Sequence, residues 1–142
     1  MGKVAAGAYM TTKEEAYARL QRSKFRSSFH LREKDKQYVR EKGMDVIEKH
    51  ARDFVRERLA TPDPANDGKQ TPMKGHPVFI AQHACAFCCR GCMHKWYHVQ
   101  EHVPLTQVQQ DKVVGMLMYW IEREMDDDCS LILECHNKNR QK

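Results

Sequence analysis

With 142 residues, 41% hydrophobic and 30% charged, the chain is long enough for one compact domain and too short for two ordinary ones. It carries 24 basic and 19 acidic side chains, a net charge of +5, and no apolar run near the roughly 18 residues of a membrane span. This excludes a disordered chain and a helical membrane anchor. The first ten residues also lack the apolar stretch of a secretory signal, so a cytoplasmic protein with reduced thiols is expected.

Residues 1–10 read as a mobile leader, residues 11–126 as one helical domain and residues 127–142 as a tail. Thr11-Thr12-Lys13-Glu14-Glu15 has the hydroxyl cap and early acids of a helix start. Tyr17, Leu20, Phe25 and Phe29 carry that helix to Ser27 or Ser28. Arg32 to Lys42 is a second, charged helix, stopped at Gly43. A clear amphipathic helix follows, with Ile47, Ala51, Phe54, Val55 and Leu59 on one stripe. Residues 60–75 hold three prolines and two glycines, which forbid a regular element.

Pro77 suits the first turn of the next helix, which is expected to run unbroken from Val78 to Arg90. Gly91 stops it, and Cys92 to Val99 opens another short helix. Thr106 and Gln109 have capping-box spacing ahead of a last helix striped with Val113, Val114, Leu117, Trp120 and Ile121. Asp126-Asp127-Asp128 should end it, because acids oppose the negative end of the helix dipole. No alternating strand pattern or internal repeat is present, so the class is all-α.

The chemistry concentrates between residues 76 and 102. Four of six cysteines (Cys85, Cys88, Cys89 and Cys92) lie within eight residues, and five of eight histidines lie between His76 and His102. Cys89 and Cys92 form a C-x-x-C whose thiolates can converge on one ion, and zinc is the metal such ligands suit. Closing the site takes two more ligands, drawn from Cys88, His83 and His98. The second thiol pair of a complete zinc signature is absent. The same atoms allow a redox pair, with Cys92 at a helix N-terminus as low-pKa thiolate and Cys89 or Cys88 as its partner. Plain packing is the third alternative, with Cys85, Cys88 and Cys92 as the inner stripe of a helix. The basic N-terminal half raises a further alternative, nucleic-acid binding through Arg19, Arg22, Lys24, Arg26, Arg32, Lys34 and Lys36, although no recognised motif accompanies the charge. Fifteen basic and nine acidic residues precede position 61, against five and seven after position 105.

Several stretches resemble the uncharacterised bacterial domain of unknown function 4186 family. They are Phe25-Arg26-Ser27-Ser28-Phe29, the loop from Asn66 to Met73, Gly75 to Ala84, and Cys88-Cys89-Arg90-Gly91-Cys92 followed by Lys95-Trp96. The resemblance spans residues 22–123. It implies no particular activity, but it places His76, His83, Cys88, Cys89 and Cys92 at family-like positions. It also implies that the loop packs over the cysteine segment. That arrangement would close a pocket bounded by His76, His83 and the cysteine turn, with Lys69 or Gln70 at its rim.

Overall fold

The computed structural model describes residues 12–64 and 68–136, with side chains to Asp126. The leader, Asn66 and Asp67, and the side chains of Cys129 and Cys135 therefore lie outside the described residues. Six α-helices and no strand occur among the described residues. They are α1 (Lys13–Gln21), α2 (Glu33–Lys42), α3 (Met44–Phe54), α4 (Pro77–Ala84), α5 (Arg90–Tyr97) and α6 (Gln107–His136).

Most starts follow the chemistry expected of them. Thr12 and Glu15 close a capping box on α1, and Thr106 and Gln109 close another on α6. Gly43, at φ 89°, turns the chain between α2 and α3. Three boundaries differ. Helix α1 ends at Gln21, and a separate 3₁₀ turn covers Arg26–Ser28, held by Ser23 bonds to the backbone N–H groups of Arg26 and Ser27. The segment after Pro77 is two helices rather than one, because residues 85–89 leave helical geometry. Helix α6 passes through the three aspartates to His136, so their unfavourable position on the dipole does not end it.

Helix α6 is the spine on which α1, α3 and α4 pack. From α3 and its continuation, Ile47, Ala51, Val55 and Leu59 are wholly buried. They meet Val78 and Ala81 of α4 and Val114, Leu117, Trp120 and Ile121 of α6 within one core. Burying each large aliphatic side chain is worth about 1.5–3 kcal/mol. Phe54, the remaining member of the expected stripe, is only half-buried and faces His76 and Phe79.

Helix α3 widens at its end into one π-helical turn, Val55–Leu59, closed by the Ala60 N–H donating to the Val55 carbonyl at 2.8 Å. The carbonyls of Arg58 and Leu59 then accept side-chain donors from elsewhere, Gln70 Nε2 at 3.5 Å and Arg90 at 3.2 Å. These two bonds tie the end of α3 to the loop and to the cysteine segment.

Candidate metal centre

The break between α4 and α5 creates the site. Helix α4 closes at Cys85, and Ala86 takes a left-handed conformation at φ 63°. The chain is then pinned on both sides. The Tyr97 hydroxyl donates to the Cys85 carbonyl at 2.7 Å, and Gln82 Nε2 donates to the Phe87 carbonyl at 3.0 Å. Cys89 is extended and caps α5, its sulfur accepting from the Cys92 N–H at 3.4 Å. Cys88 and Cys89 thus sit on a connector, while Cys92 stands in the first turn of α5. The continuous helical stripe Cys85-Cys88-Cys92 does not form, and Gly91 lies inside α5 instead of ending a helix.

This geometry gathers three thiols. The sulfurs of Cys88, Cys89 and Cys92 all lie within 4.8 Å of one another. Cys88 and Cys89 are buried and Cys92 is half-buried. Arg26 closes over them from the 3₁₀ turn. Its Nη1 donates to the His83 carbonyl at 2.6 Å and to Cys88 Sγ at 3.6 Å, and its Nη2 to Cys92 Sγ at 3.2 Å. Arg26 is only 7% exposed, so it is unavailable to a phosphate backbone and leaves the basic set proposed for nucleic acid. Arg19 of that set lies over the Trp96 ring, and Arg32 bonds Asp35.

The electrostatics select Cys88 rather than Cys92 as the acidic thiol. A bond from the Cys92 thiol, together with the Arg26 guanidinium, outweighs burial and brings Cys88 down from 9.0 to about 7. Cys92 is pushed up by giving that bond to Cys88 and by burial, and Cys89 is pushed up by burial. The helix N-terminus therefore does not make Cys92 the low-pKa group, since a neighbouring thiolate already holds the charge. Cys85 is wholly buried, and its thiol is driven up by desolvation.

His83 Nε2 lies 3.0 Å from the Thr71 carbonyl and 3.2 Å from that of Pro72. Both partners accept, so Nε2 carries the proton and neutral His83 keeps a lone pair at Nδ1. The ring stacks on Phe29 at 5.6 Å. The group of ligand atoms closing within 4.8 Å contains neither His83 nor His98. His98 is the exposed, left-handed cap of α5. His76 sits apart at the N-cap of α4, ringed by Tyr38, His50, Phe54 and Phe79. Its Nδ1 accepts from the Val78 N–H at 3.0 Å, and its Nε2 is 3.0 Å from His50 Nδ1. The loop does reach the cysteine segment, through Thr71 Oγ1, which donates to the Cys88 carbonyl at 2.8 Å. Lys69 is exposed, while half-buried Gln70 bonds the Gly68 N–H and the Arg58 carbonyl.

Three residues matter here that no ligand pattern singles out: Arg26, Thr71 and Arg90. Arg90 is 1% exposed and bonds the carbonyls of Leu59, Thr61, Gln100 and Val103 at 2.6–3.2 Å. The signal for Arg26 and Arg90 was present, because both lie inside stretches that carry the family resemblance. No solved structure matches this chain. A family model does match, over residues 14–122, so the stretch includes Arg26, the loop, all three clustered thiols and Arg90. The chain belongs to the family described as a domain of unknown function, DUF4186.

Proposed function

We propose that the protein binds one zinc ion through Cys88, Cys89 and Cys92. The convergence of three thiols within 4.8 Å on one short connector carries this reading. Sulfur ligands at about 2.3 Å from a tetrahedral zinc lie roughly 3.8 Å apart, a separation this cluster reaches with small side-chain shifts. Every thiol also has an N–H donor suited to a metal-bound thiolate. Arg26 supplies Cys88 and Cys92, and the Cys92 backbone supplies Cys89. Three thiolates with one zinc ion carry a net charge of −1, which the Arg26 guanidinium neutralises.

The fourth ligand is His83 through Nδ1 or a water molecule. His83 has the arrangement common in metal-bound histidines, one ring nitrogen donating to backbone carbonyls. Its own carbonyl shares Arg26 with the thiols. A histidine makes a closed, structural centre, and water leaves a position open for chemistry.

Elemental analysis of tag-free protein tests the first step. About one zinc per chain is expected, falling close to zero in Cys89→Ser and Cys92→Ser. Metal well below one equivalent that zinc addition does not restore would remove the proposal. Cobalt substitution then distinguishes the fourth ligands, because His83→Ala shifts the visible d–d bands only if the imidazole is bound.

The proximity of the thiols favours one second reading, a peroxide-reactive thiol pair. A thiolate of the cluster attacks the peroxide O–O bond to give a sulfenic acid and water. A neighbouring thiol then displaces a second water and forms a disulfide. Mass spectrometry after peroxide treatment of the metal-free protein would show a loss of two hydrogens between two of these cysteines. Oxidation only to sulfinic acid, with no internal disulfide, would reject it.

A further inference from the structure

The connector that carries the thiols also builds a wall of the largest cavity found among the described residues. That cavity measures about 430 Å³ and lies between α1, α5 and α6. Its walls are apolar, from Phe87 on the connector, Met93 and Tyr97 on α5, and Val113 and Met116 on α6. Its mouth is polar, with Lys13 and Glu14 of α1 facing Gln109 and Lys112 of α6. The volume sits at the lower end of the roughly 300–1,000 Å³ of small-molecule sites.

The aromatic wall is held by a constrained backbone. Phe87 stacks on Tyr97 with ring centres 4.6 Å apart. The Tyr97 hydroxyl is committed to the Cys85 carbonyl, so its ring rather than its oxygen faces the space. Gln82 clamps both backbone groups of Phe87, accepting from its N–H at 2.8 Å and donating to its carbonyl at 3.0 Å. Ala86 meets this clamp in a left-handed conformation, which costs a residue other than glycine about 1–2 kcal/mol. Strain of this kind persists where the surroundings fix a side chain in place. Here the side chain it fixes is Phe87, in the cavity wall.

At the mouth the charges are two ammonium groups against one carboxylate. The Lys13 stem lies along α6 at Gly115, where a Cβ would stand 3.5 Å from Lys13 Cε. The bare glycine backbone leaves room for the lysine and holds its charge beside the opening. An apolar chamber with a cationic rim is complementary to a molecule with a hydrocarbon body and an anionic head.

We propose that this cavity binds an amphipathic anion, a hydrocarbon chain of about ten carbons ending in a carboxylate. The chain lies against Phe87, Met93 and Met116, and the carboxylate lies between Lys13 and Lys112. Methionine and flat aromatic walls accommodate a flexible chain without a fixed shape requirement. This site is separate from the thiol centre and does not depend on whether metal is bound there.

Isothermal titration of the full-length chain with decanoate, decanol and decylammonium tests it. Saturable one-to-one binding of decanoate is expected, with decylammonium at least tenfold weaker. Lys13→Gln with Lys112→Gln should weaken decanoate about tenfold, the sum of two exposed charge contacts of up to about 0.7 kcal/mol each. Decanol should be unaffected by that double substitution. Three outcomes would overturn the proposal. One is the absence of saturable binding, which is also the result expected if residues 1–11 fill the space. The second is equal affinity for decanoate and decylammonium. The third is decanoate binding within twofold of the original in the double variant. The comparison of ligands on the unmodified chain does not depend on any variant folding.

Discussion

Arg90→Met asks how much of the fold hangs on one buried guanidinium. Arg90 joins three pieces of chain. The first is the end of α3 with the residue after it, through Leu59 and Thr61. The second is the stretch after α5, through Gln100 and Val103. The third is the thiol connector, which Arg90 itself begins to leave as the first residue of α5. Methionine fills similar space and supplies no donor. Residues Thr61, Gln100 and Val103 are exposed, so their carbonyls regain water and forfeit only the net value of a bond, about 0.5–1 kcal/mol each. Leu59 is wholly buried, so its carbonyl stays dry at a cost of about 1–3 kcal/mol. Relief from burying a charge offsets part of this sum. A net loss of about 3 kcal/mol follows, or roughly 10 °C in Tm for a chain of this length. Arg90→Lys should be nearly as damaging, because one ammonium cannot span carbonyls on two separate segments. Chemical denaturation of metal-free and zinc-loaded protein measures both. A loss under 1 kcal/mol in Arg90→Met would show that these four bonds merely replace hydration and would refute the reasoning.

Cys85→Ala should retain full zinc while losing about 1 kcal/mol of stability, because Cys85 is buried beside the cluster without belonging to it; elemental analysis paired with a melt separates the two effects. His76 is depressed from 6.5 to about 4 by burial and then by His50, against the pull of Asp35. The unfolded chain therefore binds the proton more readily, so this contribution is complete above pH 6.5 and is lost as the pH falls towards 4. His76→Asn keeps an N-cap acceptor for Val78 and removes the titration; urea melts from pH 7 to 4 should show a flatter decline for the variant. Thr71→Ala removes the bond to the Cys88 carbonyl, costing about 1 kcal/mol and accelerating tryptic cleavage at Lys69 and Lys74, as followed by mass spectrometry. Unchanged cleavage would mean that Thr71 does not hold the loop.

Local rules made much of this architecture legible. Thr12 with Glu15, Thr106 with Gln109, and Pro77 behind His76 mark helix starts by bonds only a few residues apart. The four-residue spacing of Ile47, Ala51, Val55 and Leu59 marks the buried face of α3 in the same way. The density of cysteine between residues 85 and 92 likewise points to the three clustered thiols. The break after Cys85 was not legible, since Ala-Cys-Ala-Phe-Cys-Cys contains no glycine or proline. What breaks the helix is distant: Tyr97 takes the Cys85 carbonyl, and Gln82 takes both backbone groups of Phe87. Cys92 was misjudged for a related reason. Helix position alone suggests a low pKa, but the charge settles on Cys88 once Arg26, 62 residues away, is folded against it. His76 and His83 are seven residues apart and suggest one face, yet His76 caps α4 toward His50 and Phe54 while His83 faces the loop.

The π-helical turn at Val55–Leu59 makes the exact count of residues before the loop a structural quantity. Such a turn accommodates one residue more than a regular helix of the same rise. Deleting any single residue between 55 and 59 would restore ordinary winding and rotate everything after it by about 100°. The Arg58 and Leu59 carbonyls would then point away from Gln70 and Arg90, and Leu59 would leave the core. Extra residues within 61–70 lengthen only a connector, at a cost that grows slowly with length. A family alignment centred on this chain should therefore place its length variation after residue 60 and almost none in the five residues before it.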